Sequence, residues 1–317
     1  MGHYGDNHSK VKSLDPQKEA YQKVFESFGD RLKQNVILAP YTTFGIGGRA
    51  DLFFPATKLR DLIFIIRIAQ QQRVRFFILG GGSNVLVSDS GFRGLVILNQ
   101  CRNMMVNQNS ITCQSGSLLD DVVNRACGCS LSGLEFAAKI PGTVGGAIRG
   151  NAGAFGKSVG DALTRAVILT RKGEIKEVEK SYFQFAYRGS YIKLSGDVLL
   201  SATFGLQKSD KEVIEKKKKE NLKEREEKLP WDEKSAGCFF KNIVQKDQKV
   251  SAGLLLDQVG AKGMQVGEAL VSAKHANILI NAKNAKAEDV KELAQRLKKK
   301  VKEKFDIDLE EEVVYTK

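Results

Sequence analysis

The chain has 317 residues, 42% hydrophobic and 27% charged, so it can bury sizeable cores and is too apolar for a disordered polymer. Fifty basic against 37 acidic side chains leave a formal charge of +13, which favours anionic partners without choosing among nucleic acid, a phospholipid surface and a phosphorylated metabolite. No stretch reaches the roughly 20 apolar residues of a membrane-spanning helix and residues 1–13 hold no apolar signal core, so the expectation is a cytoplasmic protein without membrane insertion.

Residues 1–13 read as a disordered polar leader. Asp15-Pro16 then supplies an N-cap and a first-turn proline, opening a helix to about Leu32. Thr57 caps a second helix, in which Leu59, Leu62, Ile63 and Ile66 recur at helical spacing. A strand over 75–79 ends in Gly80-Gly81-Gly82-Ser83-Asn84, another covers 95–98, and Ser117 with Asp120 forms a capping box for a helix through about Cys127. Segments 166–170, 175–178 and 198–204, with a turn at Lys172-Gly173, suggest a mixed sheet. A charged helix at 209–228 marks a boundary before Leu229-Pro230-Trp231, and a smaller α/β unit follows, closing with an amphipathic helix at 287–304. In the runs 215–228 and 283–304 acids interleave with bases at helical spacing and no aromatic residues alternate with them. They read as solvated helix faces rather than nucleic-acid sites.

The five cysteines (Cys101, Cys113, Cys127, Cys129, Cys238) contain no paired C-x-x-C units, so free thiols and no metal site are expected. Cys127 and Cys129, two apart, would point to opposite sides of a strand. His3 and His8 lie in the leader, which leaves His275 alone in the body, a poor supply for metal or triad chemistry.

Three glycine-rich loops carry the functional signal. They are Gly45-Ile46-Gly47-Gly48, then Gly80-Gly81-Gly82-Ser83-Asn84, then Ile140-Pro141-Gly142-Thr143-Val144-Gly145-Gly146 running on to Asn151 and Gly153. Missing Cβ atoms let backbone N–H groups converge on an anion, and three such loops within about 110 residues suit a large ligand such as a flavin dinucleotide. None fits the P-loop or the G-x-G-x-x-G fingerprint.

The blocks TTFGIGGRADLF (42–53), GGGSNVLVSDSGFRGLVI (80–97), SGLEFAAKIPGTVGGAIRGNAGAFG (132–156), YRGSYIK (187–193), SAGCFFKN (235–242) and GLLLDQVGAKGMQVGEALVSAKHANILIN (253–281) fall in one order. Together the chain resembles the UDP-N-acetylenolpyruvoylglucosamine reductase family, in its smaller subtype. The resemblance implies an α+β chain with an FAD-binding fold of the vanillyl-alcohol-oxidase type. Its two α/β subdomains would cover 14–103, to which 305–317 would return, and 104–208. A substrate-binding domain would follow at 209–304. It also implies a monomer holding FAD non-covalently, with Gly45, Gly47, Gly80, Gly81, Gly82, Ser83, Asn84, Ile140, Pro141, Gly142, Thr143, Gly145, Gly146, Asn151 and Gly153 around the cofactor. The partners would be NADPH and UDP-N-acetylglucosamine enolpyruvate. NADPH would reduce the flavin, whose N5 would deliver hydride to C3 of the enolpyruvyl group, with protonation at C2, yielding UDP-N-acetylmuramate for peptidoglycan.

Carried over by motif, Arg188 would steady the substrate carboxylate and enolate oxygens, and Cys238 would be the proton donor where the family usually has serine. Glu312 would be the active-site acid by register, with Glu310 as the alternative, and Lys241 and Asn242 would touch the substrate. Without the motifs, Arg188 reads as a structural arginine, Cys238 as a buried small residue, the acid run as surface, and His275 and Asn277 as structural. Two other functions remain open on the residues alone, an FAD-dependent alcohol or sugar oxidase and a basic nucleic-acid-binding protein.

Overall fold

The computed structural model describes residues 16–245 and 248–316, so the expectation for the 1–13 leader and the Asp15 cap falls outside the described residues. The first helix, Pro16–Phe28, stops short of Leu32. Gly29 turns left-handed at φ +53° and a single 3-10 turn, Gly29–Arg31, replaces the last helical residues.

The first sheet orders Lys33–Ile37, Arg49–Ala56, Phe92–Asn99 and Phe76–Leu79, with an antiparallel outer pair and two parallel pairs. Phe53 and Phe54 are both buried, as a strand covered on its two faces requires. Helix Leu59–Gln71 packs Leu62, Ile65, Ile66 and Ala69 onto one of those faces. Its N-cap is Lys58 rather than Thr57, and no side chain caps it.

The second sheet, in the order Ile175–Glu179, Leu163–Leu169, Val198–Gly205, Ser110–Gln114 and Met104–Asn107, is antiparallel at every pairing rather than mixed, and hairpin turns join two of its four neighbouring pairs. Helix Leu119–Gly128 covers it without the expected capping box. The N-cap is Leu118, Ser117 Oγ is buried without a partner among the described residues, and Asp120 Oδ1 instead accepts from the Lys139 N–H at 2.6 Å. Cys127 lies in this helix and Cys129 at its C-cap, so the strand geometry expected for the pair does not occur.

The third sheet, ordered Ser235–Cys238, Ile278–Asn281, Ala269–Val271 and Gln265–Val266, is also antiparallel. Helix Ala287–Phe305 seals it with a stripe of Val290, Leu293, Ala294, Leu297 and Val301, all fully buried. The more densely charged helix Lys211–Lys228 behaves differently: it buries Ile214 and Asn221 and joins the core of the second sheet through Ile214 and Leu222. At the C-terminus, Val314–Thr316 runs back to pair in parallel with Val85–Val87. That return carries residues 310–312 across the junction of the first and third sheets.

Candidate active site

A cavity of about 440 Å³ opens where the three sheets meet. One wall is backbone. Gly80-Gly81-Gly82-Ser83-Asn84 leaves the end of strand Phe76–Leu79 and abuts the 140–147 loop, so closely that a Cβ on Gly81 would lie 2.8 Å from Gly142 Cα. Gly82, at φ +63°, would drive a Cβ to 2.1 Å from the Tyr41 carbonyl oxygen, so only glycine serves there. Ser83 Oγ donates to the Pro141 carbonyl at 3.0 Å and ties the two loops together. Thr143 N-caps helix Val144–Gly150, accepting from Gly146 N–H at 3.4 Å. Among the described residues, the amides of Gly81, Gly82, Ser83 and Asn84 donate no hydrogen bond, which leaves a row of N–H groups for an anionic ligand.

The opposite wall is charged side chains. Cys238 ends strand Ser235–Cys238, whose register with Ile278–Asn281 is broken between Ser235 and Cys238, and the residue lines the cavity at that irregularity. Buried Asn277 holds the following turn, accepting from Phe240 N–H at 2.9 Å and donating to its carbonyl at 2.8 Å. His275 is structural here, with Nδ1 accepting from Asn277 N–H at 3.1 Å. Burial pushes the Cys238 thiol up to about 11, Glu312 adds to that, and Arg188 and Arg225 pull it back.

Arg188 occupies left-handed backbone at φ +55°, strained for a non-glycine residue, inside a tight Ala186–Gly189 turn. Its neighbours hold it there. Lys193 Nζ donates to its carbonyl at 2.6 Å, its Nη1 donates to the Gly153 carbonyl at 3.2 Å, and its Nε pairs with the Glu312 carboxylate at 3.0 Å. Of the three successive acids, Glu312 lines the cavity with its side chain 18% exposed, whereas Glu310 is 73% exposed and pairs outward with Lys241. Glu311 pairs with Lys298. Extended chain throws Glu311 to the face opposite Glu310 and Glu312, and the Glu312 N–H to Phe239 carbonyl bond at 2.8 Å ties residue 312 beside Cys238. Burial raises the Glu312 carboxyl, and Arg188 opposes the rise.

Arg188, Cys238 and Glu312 thus share the cavity with Gly80, Gly81, Gly82, Ser83, Asn84, Ile140, Pro141, Gly142, Thr143, Gly146 and Gly153. Six sequence candidates stand outside its lining. Gly45 and Gly47 belong to a supporting loop, in which a Cβ on Gly47 would press on Val87 at 3.0 Å. From the same loop, Thr43 Oγ1 reaches both the Gly82 and Ser235 carbonyls. Gly145 packs under Ser115, and Asn151 caps its helix while donating to the Ala186 carbonyl at 3.0 Å behind Arg188. Asn242 donates its N–H to Tyr187 Oη at 3.2 Å and accepts from Ala252 N–H through Oδ1. Lys241, held by Glu310, likewise lies beside the cavity and not in its wall.

Family models match two stretches, one described as UDP-N-acetylenolpyruvoylglucosamine reductase, C-terminal domain, over residues 229–316, and one as FAD binding domain over residues 50–179. The UDP-N-acetylenolpyruvoylglucosamine reductase of Clostridium novyi (strain NT) is 38% identical over 306 residues, 96% of this chain and 97% of that protein. The chain belongs to the UDP-N-acetylenolpyruvoylglucosamine reductase family. The reductase of Caldicellulosiruptor bescii is 39% identical over 281 residues, 88% of each chain. The crystal structure of the Thermus caldophilus reductase superposes with a TM-score of 0.77 at 32% identity, covering 90% of this chain and 99% of that one.

FAD is therefore the cofactor, and the expected α+β, FAD-binding architecture stands. The cavity suits it, because the unclaimed N–H row fits a diphosphate and the buried Glu233 Oε2 in the cavity lining, without a partner among the described residues, fits an N–H or O–H donor of the cofactor. Sequence reasoning missed Arg149, Lys193, Arg225 and Trp231 in or beside these walls. Arg225 had a signal, being the one arginine in a lysine-rich helix, and arginine and lysine are not interchangeable in a desolvated site.

Proposed function

We propose that this reductase-family protein reduces the enolpyruvyl ether of UDP-N-acetylglucosamine to the lactyl ether of UDP-N-acetylmuramate, with NADPH as the source of electrons. The observation that carries this reading is the convergence of Arg188, Cys238 and Glu312 on one cavity facing the glycine wall. FAD, when bound, supplies the hydride chemistry, accepting from the nicotinamide and passing to the alkene. The chain's own residues do the rest. The Ile140–Thr143 and Gly80–Asn84 loops hold the cofactor's diphosphate, and Arg188, locked by Glu312, orients the substrate carboxylate and balances the negative charge that builds on it. Cys238, still a thiol at neutral pH, gives its proton to C2. Lys241 and Asn242, at the cavity edge, contact the diphosphate or sugar.

The test is spectroscopic. Purified protein should be yellow, NADPH should bleach the flavin, and UDP-N-acetylglucosamine enolpyruvate should restore its colour anaerobically. Bleaching by a simple alcohol or sugar but not by NADPH would assign the site to an oxidase instead.

A further inference from the structure

Arg188 has a built-in counter-ion in Glu312; among the described residues, Arg225 has none. It sits in the last turns of helix Lys211–Lys228, with its guanidinium carbon 5.6 Å from the Phe155 ring centroid and Nη2 donating to the Phe136 carbonyl at 3.5 Å. Its Nε is fully buried and without a hydrogen-bond partner among the described residues, and none of their carboxylates pairs with it. A half-buried cation with no carboxylate beside it is costly to hold, and an anion that forms next to it during function relieves that cost. Arg225 lines the same cavity as Cys238 and lies close enough for its charge to act on that thiol and on Arg188.

We infer that Arg225 is the counter-charge for Cys238, holding the thiolate that remains once the thiol has protonated the substrate. The inference rests on the proton-donor reading of Cys238. The Sγ–H bond breaks as the C2–H bond forms, the electron pair stays on sulfur, and the thiolate recovers its proton from water before the next turnover. Arg225 acts through Cys238 and is a positioning residue. The helix carrying it, with so little apolar face, serves to deliver that guanidinium. A lysine at 225 would keep the charge but lose the planar fork.

Iodoacetamide labelling of Cys238 in the FAD-loaded enzyme, followed by peptide mass spectrometry at pH 9, reads the thiolate directly without turnover. Arg225→Gln should label about three- to tenfold more slowly than wild type, because removing the cation raises the thiol, and Arg225→Lys should stay within about threefold. In Arg225→Gln, NADPH should still bleach the flavin, while reoxidation by the enolpyruvyl substrate falls more than tenfold. Equal labelling in all three proteins, or equal slowing in both variants, would overturn the assignment. So would weakened substrate binding with unchanged labelling, which would make Arg225 a carboxylate ligand. Cys238→Ala separates the two claims: if it reoxidises normally, the proton-donor reading itself is wrong.

Discussion

The two walls of the cavity are made of different material. The glycine wall offers backbone N–H groups and admits no side chain at its tightest points, whereas the charged wall offers a thiol, a carboxylate and two guanidiniums, of which Arg188 is paired with the Glu312 carboxylate. A backbone wall is rigid and indifferent to chemistry but intolerant of bulk. A side-chain wall is the reverse, tolerating isosteric exchange and failing when charge or proton supply changes.

The largest expected effect that sharpens this contrast is on the charged wall. Cys238→Ala should slow flavin reoxidation by the enolpyruvyl substrate at least ~100-fold while leaving reduction by NADPH intact, and Cys238→Ser should stay within about tenfold of wild type, both measured by stopped flow. On the backbone wall, Gly82→Ala should lose FAD on gel filtration and destabilise by more than about 2 kcal/mol, since the new Cβ meets the Tyr41 carbonyl at 2.1 Å in left-handed backbone. Normal flavin content in that variant would break the comparison. Arg188→Lys should lose more than about tenfold in the same reoxidation step, because the planar fork between Glu312 and the Gly153 carbonyl is gone.

Smaller effects follow from pH. With its thiol pushed up to about 11, Cys238 remains a donor through neutral pH, so reoxidation should stay flat until the alkaline end and Cys238→Ser should lack that alkaline limb. Glu312 titrates higher in the fold than in the unfolded chain. Its stabilising contribution is present below the unfolded value, 4.5, and lost as pH rises through the folded one. Glu312→Gln should therefore gain melting temperature relative to wild type as pH goes from 4.5 to neutral. Smallest is Gly146→Ala, where nothing stands nearer than 3.8 Å. The cofactor-free protein should gain up to about 1 kcal/mol from helix propensity, with weaker FAD retention from a methyl entering the cavity.

Local chemistry made much of this legible. The ordered motif blocks singled out Arg188 and Cys238, the register of the 309–313 run singled out Glu312 with Glu310 as the alternative, and glycine density marked two of the loops that line the cavity. The Gly45–Gly48 loop carried the same signal yet supports the site from behind, because glycine is needed equally for loop packing and for ligand approach. The two lysine-rich helices are the sharper lesson. Ala287–Phe305 announces its buried stripe in the spacing of Val290, Leu293, Leu297 and Val301, while Lys211–Lys228 shows no such stripe and still delivers Arg225 to the cavity.

What the amino-acid order determined by itself was short-range: helix and strand type, the family motifs, and the alternation that sets Glu310 and Glu312 apart from Glu311. Which of the two same-face acids, Glu310 or Glu312, enters the cavity, which glycines line it, and which cation is left without a carboxylate among the described residues depended on how distant segments pack. Those outcomes arise from contacts hundreds of residues apart, such as Arg188 to Glu312 or Asn84 to the Glu312 carbonyl, whose desolvation and hydrogen bonding exist only once the three sheets have closed around the cavity.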